Sequence, residues 1–197
     1  MTDEPLTPEL LLSAYSKGYF PMAQSREDST LQWFYPEKRG IIPLENFHIS
    51  RSLAKLMSKS PFTLTMNEAF PDVIKACAQP RPKHSETWIN ATIIELYTEL
   101  WGMGYGYSME CWQDDKLVGG VYGLSIGRAF FAESMFSHVT GASKVALASL
   151  LTMLSDAGYM LFDTQYMNEH LVQFGAIEIP RKDYLERLKN ALQPKIE

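Results

Sequence analysis

The sequence predicts an α+β fold in which one mixed sheet is flanked by helices. Three observations support this prediction. Three strand-like segments follow one another in residues 106–136 and are joined by short turns. Residues 141–158 have the apolar spacing of an amphipathic helix and end at a glycine. The chain then continues as strand, helix, strand and helix, which a single sheet with helices packed on it accommodates.

The amino-terminal part of the chain is interpreted as a small α/β domain of its own. Thr7 followed by Pro8 is typical of a helix N-cap and first turn, and Gly18 ends that helix. Residues 19–48 are rich in aromatic and turn residues without a strong period, which favours short strands and loops. We therefore predict a small domain over residues 1–48 and a larger one over residues 49–197.

The elements of the larger domain follow from caps, turns and periodicity. Asn90 is a good N-cap for the helix behind it, and the glycines after Leu100 end that helix. In chain order we predict a helix at 50–59, a strand at 62–66, a helix at 67–78, a loop at 79–87, a helix at 90–100, strands at 106–112, 117–125 and 128–136, a helix at 141–158, a strand at 159–165, a helix at 167–174, a strand at 176–180 and a helix at 181–192.

Composition argues against several classes of protein. The chain of 197 residues is 46% apolar and 21% charged, as in ordinary soluble globular proteins, and no apolar run is long enough to cross a bilayer. The acidic amino terminus is unlike a signal peptide, and two cysteines without a CxxC pair fit a reducing compartment, so cytoplasm is expected. The four histidines lack the spacing of a zinc site, and we expect no bound metal.

Charge is distributed unevenly along the chain. Because the net charge is −5, a non-specific nucleic-acid coat protein is unexpected. Residues 51–83 nevertheless hold six basic residues against two acidic ones. The basic segment is either a solvated helix face or a patch that meets a polyanion.

Three predicted strands each carry one acid in apolar surroundings, namely Glu110, Glu133 and Asp163. Because side chains alternate along a strand, Asp163 and Gln165 share one face. For a single acid, pairing with an arginine or a backbone amide is the commoner explanation. Several acids lining one cleft would instead suit a cationic ligand.

Longer motifs carry a resemblance to a known family. The strings GYFPM (18–22), WFYPEKRGIIPL (33–44), ESMFSHVTGASKVAL (133–147), FDTQ (162–165) and HLVQFGAIEIPR (170–181) occur in this order. Together they resemble the leucyl/phenylalanyl-tRNA–protein transferase family over nearly the whole chain. The resemblance implies a GNAT-like (acyl-CoA N-acyltransferase-like) fold. It also implies transfer of leucine or phenylalanine, with methionine left open as a further donor, from aminoacyl-tRNA to the α-amine of proteins that begin with Arg or Lys. This transfer would create an N-end-rule degradation signal. No glycine-rich coenzyme A loop occurs, and no cofactor is expected.

The resemblance also implies roles for particular residues. Asp163, Gln165 and Glu133 match the catalytic residues. The matches to substrate-binding residues are Trp33, Trp88, Glu110, Phe130 and Met135. Strict alternation would place Phe130 and Met135 on opposite faces of their strand, so a bulge or turn near Ala132 is expected if both line one pocket.

Two other functions remain open from the sequence. One is an aminoacyl-tRNA-dependent transferase that uses another peptide acceptor, such as a cell-wall peptide. The other is a non-catalytic module that binds basic N-termini through its acids. Such a module has a use for Asp163 and Glu133 but no need for the amide of Gln165.

Overall fold

A computed structural model describes residues 6–28, 30–59, 61–80 and 87–193. Its elements are α1 (Pro8–Ser16), β1 (Phe20–Ala23), β2 (Leu31–Phe34), β3 (Lys38–Ile41), α2 (Arg51–Ser58), β4 (Thr63–Met66), α3 (Phe70–Cys77), α4 (Ala91–Gly102), β5 (Gly106–Gln113), β6 (Lys116–Ile126), β7 (Ala129–Ser137), α5 (Ala142–Asp156), β8 (Leu161–Gln165), α6 (Glu169–Val172), β9 (Ile177–Pro180) and α7 (Arg181–Ala191). Most of the predicted loop at 79–87 lies outside the described residues.

The larger sheet has seven strands in the order β4-β5-β6-β7-β8-β3-β9. All neighbours are antiparallel except β7 and β8, which run parallel because α5 crosses over between them. The prediction of an α+β fold with a mixed sheet and flanking helices is confirmed. β1 and β2 form a separate hairpin, whereas β3 lies inside the larger sheet between β8 and β9. The domain boundary at residues 48 and 49 stays a prediction.

Local chemistry explains where several elements begin. Ser50, Asn90 and Asn168 cap the helices that follow them, each by accepting a hydrogen bond from the backbone N–H three residues on. The predicted helix at 67–78 starts later, at Phe70, so that Pro71 falls in its first turn, where a missing N–H costs nothing.

The sheet separates two apolar cores. Helices α1, α3, α4 and α7 contribute to the first core, which contains Phe131 and Phe136 of β7. Helices α2 and α5 cover the second core, which contains Phe130 and has Met135 packed against it. Phe130 and Met135 therefore face the same side of the sheet although an odd number of positions separates them.

A β-bulge in β7 accounts for this change of phase. Ala132 pairs with Gly123 and Ser134 pairs with Tyr122, so Glu133 is an extra residue with no partner on β6. The bulge expected near Ala132 is therefore present. Gly123 is required beside it, because a Cβ atom there would lie 2.2 Å from the carbonyl oxygen of Phe131.

Within the described part of the chain, the helices are all too short or too polar to cross a membrane.

Candidate active site

The site forms where β7 and β8 separate. The two parallel strands pair only from Ala129 to Phe131 on one side and from Leu161 to Asp163 on the other. Beyond this point the bulge carries Glu133 into the gap, and Gln165 at the end of β8 reaches it from the opposite side. The Nε2 atom of Gln165 donates a hydrogen bond of 3.2 Å to Oε1 of Glu133. The acid and the amide thus meet across the opening of the sheet.

Glu133 is half-buried and holds its proton unusually well. Burial raises the pKa of its carboxyl from the ordinary 4.5 to about 8, and the charge of Asp163 acts in the same direction. A hydrogen bond of 2.7 Å from the Tyr15 hydroxyl to Oε1 lowers the pKa but does not offset the burial. The carboxyl is therefore mostly protonated at neutral pH until a cation or a base approaches it.

A pair of tyrosines supports Glu133 from behind. Tyr15 of α1 and Tyr97 of α4 are fully buried and share a hydrogen bond between their hydroxyls. Burial raises the pKa of both phenols well above the usual value, so they remain neutral donors. Sequence reasoning missed Tyr15 and Tyr97, because an aromatic residue in the apolar stripe of a helix looks like ordinary core.

Asp163 is a fully buried acid with all its acceptor positions in use. Arg39 donates from Nε to Oδ1 at 2.9 Å and from a terminal nitrogen to Oδ2 at 2.7 Å. The Tyr184 hydroxyl donates to Oδ2 at 2.7 Å, and the backbone N–H of Gln165 donates to Oδ1 at 2.8 Å. Four donors match the approximately four lone-pair sites of a carboxylate.

Sequence reasoning also missed Arg39, the buried cation that pairs with Asp163. Its guanidinium lies between the rings of Phe20 and Tyr184, 4.5 Å from each ring centre, and donates to the carbonyl of Gly18. Burial alone would lower the pKa of this guanidinium, but Asp163 raises it above its usual value, so Arg39 stays charged. These contacts therefore support the interpretation of Asp163 as a buried acid that is paired with an arginine.

Gln165 is held in an uncommon backbone conformation. Its φ of +56° lies in the left-handed region, which costs a residue other than glycine on the order of 1 kcal/mol. The hydrogen bond from its N–H to Asp163 stabilises this conformation. Its side-chain carbonyl oxygen has no hydrogen-bond partner among the described residues, and so it can accept one from a substrate.

An apolar cleft of about 280 Å³ opens beside the bulge. Met135 and Val121 of adjacent strands line it together with Leu147 of α5 and Phe162 of β8. Polar residues also line it, namely Glu133, Ser134, Thr164, Asn168 and His170, and so does Trp88. Phe130 supports the cleft from behind, since its ring stacks on Phe162 with centres 5.4 Å apart.

Two of the predicted substrate-binding residues lie elsewhere in the structure. Trp33 is 39% exposed on the β1–β2 hairpin and does not line the cleft. Glu110 is fully buried and bonded to the Thr65 and Ser108 hydroxyls and to the first turn of α3 through the N–H of Ala69. Their roles in substrate binding stay predictions that these contacts do not favour.

No group of three or more metal-ligating side chains occurs in the ranges that the structure describes. An apolar cleft lined by an acid that is bonded to an amide, at the point where two parallel strands separate, suits a ligand with one apolar end and one polar end.

Two family models assign the chain to a class of enzymes, the aminoacyltransferases. Residues 41–189 match the model described as leucyl/phenylalanyl-tRNA protein transferase, and residues 4–37 match the N-terminal domain of the same protein. The chain belongs to this family of aminoacyltransferases.

Curated relatives agree with the family models. The chain is 52% identical over 188 residues to a leucyl/phenylalanyl-tRNA–protein transferase of Rhodospirillum rubrum. The matched region covers 95% of this chain and 88% of the relative. The chain is 53% identical over 197 residues to that of Cereibacter sphaeroides, covering 100% of this chain and 90% of the relative. A crystal structure of FemX shares the fold, with a TM-score of 0.57 at 10% identity over 87% of this chain and 66% of that one.

Proposed function

We propose that this chain moves leucine or phenylalanine from aminoacyl-tRNA to the N-terminal α-amine of a protein that begins with Arg or Lys. Membership of the family supports aminoacyl transfer to protein. The observation that carries the proposal is the apolar cleft lined by Glu133, whose carboxylate is hydrogen-bonded to the amide of Gln165 beside the cleft. One end of this cleft suits an apolar side chain, and the other suits an amine.

The apolar cleft is the site for the donor amino acid. Its volume of about 280 Å³ and its apolar walls fit a leucine or phenylalanine side chain. Met135 is an unbranched, flexible residue that adapts to either shape. A charged donor side chain held between Val121, Leu147 and Phe162 would be buried without a counter-charge beside it, which is costly. We assign Trp88, which lines the same cleft, to contact with the terminal adenosine that carries the ester.

The transfer itself is the aminolysis of an ester. The amine lone pair attacks the ester carbonyl carbon, a peptide bond forms, the ester C–O bond breaks, and the ribose hydroxyl leaves with a proton from the amine. An α-amine titrates near neutrality, so its uncharged form is available without a strong base. Gln165 orients the amine through its side-chain carbonyl oxygen while Glu133 anchors the other end of its amide.

Asp163 is a positioning residue in this scheme. Its four acceptor positions are taken by Arg39, Tyr184 and the backbone of Gln165, and none is left for a substrate. It acts on Gln165 through the backbone N–H and not through the side-chain amide. Glu133 is the acid available to substrate, and an ammonium group beside it would lower its pKa and ionise it.

The remaining features of the proposal concern the fold, the tRNA and the compartment. We assign the larger domain to the GNAT-like class, supported by the separation of β7 and β8 at the site. The exposed face of α2, which carries Arg51, Lys55 and the neighbouring Lys59, is proposed to meet tRNA phosphates. The enzyme is proposed to work in the cytoplasm without a cofactor.

A transfer assay tests the proposal. The protein is incubated with radiolabelled leucyl-tRNA and an Arg-initiated peptide, next to Met-initiated and N-acetylated peptides of the same sequence. We expect label on the Arg-initiated peptide alone. Label on every peptide would contradict the proposed requirement for an acceptor that begins with Arg or Lys. Binding of the Arg-initiated peptide without label would support a non-catalytic module.

A matched pair of glutamine variants isolates the role of the amide. Gln165→Ala should lower kcat by about 100-fold, because the amine loses its orienting contact. Gln113→Ala, at the far end of β5, removes an amide of the same size from the sheet and should leave kcat unchanged. Equal kcat values for the two variants would show that Gln165 does not contribute to the reaction.

A further inference from the structure

A second cleft of about 290 Å³ adjoins the apolar cleft. Met135 and His170 line both clefts, so the two form neighbouring compartments of one groove. The second cleft is otherwise lined by the end of α3, by the end of β7 at Phe136 and His138, and by the start of α5 at Ser143. The proposed transfer chemistry takes place at Glu133 and leaves this cleft without a role.

We propose that the second cleft binds the nucleotide that precedes the terminal adenosine of the donor tRNA. The inference rests on the proposed function, since it takes the aminoacyl group to occupy the apolar cleft. The amino acid is esterified to the last ribose, so the preceding nucleotide must lie next to the apolar cleft. The second cleft adjoins it at Met135 and His170 and is therefore within reach of that nucleotide.

The chemistry of the second cleft suits a nucleobase. The imidazole of His138 is exposed and lies with its ring centre 5.0 Å from that of Phe136, inclined at 60°. Unpaired bases stack on such rings. Gln79 and Ser143 also line the cleft, and their side chains make no hydrogen bond within the described residues. Both side chains are thus available to the edge of a base.

The same lining does not suit the acceptor. An Arg or Lys side chain needs a carboxylate partner, and the described residues that line the second cleft include two imidazoles and no acid. Lys75, exposed on α3 next to the cleft residue Ala76, adds a positive charge that attracts phosphate. Between the two substrates, the groove therefore favours the tRNA.

Equilibrium binding of two unreactive donor analogues tests this inference. The first is phenylalanine joined to adenosine by an amide, and the second carries a cytidylate on the 5′ side of that adenosine. Wild-type protein should bind the longer analogue about 5- to 20-fold more tightly, as expected for one stacked base. His138→Ala should lose most of this difference while binding the shorter analogue as before. His138→Trp should keep the preference, because an indole offers a larger stacking face.

Other outcomes would overturn the inference. Equal binding of the two analogues by wild-type protein would leave the second cleft without a nucleotide. Equal weakening of both analogues by His138→Ala would make His138 part of the apolar cleft instead. Weaker binding of an Arg-initiated peptide to His138→Ala, with no effect on the analogues, would assign the second cleft to the acceptor. If the expected pattern is found but no label is transferred, the proposed function fails while the nucleotide cleft stands.

Discussion

Replacing Glu133 by glutamine tests how the environment of this acid affects the stability of the fold. The carboxyl is half-buried in the gap between β7 and β8, and its pKa is about 8 instead of the ordinary 4.5. The folded protein therefore keeps a proton that the unfolded chain loses. Since the folded state binds more protons between these two values, the free energy of unfolding falls as the pH rises through that interval.

The size of this effect follows from the shift in pKa. The interval extends from 4.5 to about 8. One pKa unit corresponds to about 1.4 kcal/mol, so the contribution of Glu133 to stability falls by roughly 3–5 kcal/mol across the interval. The contribution is complete below the lower value and is lost above the higher one. In the Gln variant the side-chain oxygen still accepts from Tyr15 and Gln165, but no proton is bound or released.

Urea unfolding of wild-type protein and Glu133→Gln at pH 5, 6, 7, 8 and 9 measures this effect. The stability of the variant relative to wild type should rise from pH 5 to pH 8 and then stay constant. Glu99→Gln, an exposed position on α4, is the matched control and should follow the wild-type curve. Parallel curves for wild type and Glu133→Gln would show that burial does not hold the proton, and would refute the reasoning.

The other predictions concern the buried ion pair and the bulge. Arg39→Met leaves Asp163 buried without its cation and should lower the free energy of unfolding by about 3–5 kcal/mol. Replacing the adjacent exposed Lys38, whose ion pair spans 3.9 Å, should lower the free energy of unfolding by less than about 1 kcal/mol. Equal decreases for the Arg39 and Lys38 variants would contradict a special contribution of the buried pair. Gly123→Ala forces a Cβ against backbone and should cost about 1–3 kcal/mol in urea unfolding. Gly102→Ala, with open space around it, should not destabilise, and equal behaviour of the two glycine variants would argue against a constrained bulge.

Much of the fold was accessible from the sequence because its signals are local. Caps such as Asn90 and the alternation of strands near Asp163 depend on neighbouring residues alone. Phe162 and Thr164 do line the cleft, while Asp163 and Gln165 turn to the other side, as alternation predicted. The position of β3 inside the larger sheet had no such signal, because its neighbours β8 and β9 lie far away in the chain.

The candidate site was accessible only in part for the same physical reason. Alternation shows which face of a strand an acid takes but not which acids meet across a sheet. It therefore left open whether Glu110 and Glu133 share a cleft, and in the structure Glu110 is bonded near the start of α3. Arg39 and Tyr15 reach the acids from distant parts of the chain, and no periodicity indicates such partners. The bulge at Glu133 was predictable only because the resemblance required Phe130 and Met135 on one side.

The place of β3 in the sheet also sets the order in which the molecule can be completed during synthesis. Arg39 precedes its partner Asp163 by 124 residues. At a translation rate of about 5–20 residues per second, the ribosome needs roughly 6–25 s to supply that partner. Throughout this delay β3 lacks both of its neighbours, β8 and β9. The buried ion pair at the site can form only after most of the chain has been made, and so a shorter nascent chain cannot hold the complete site.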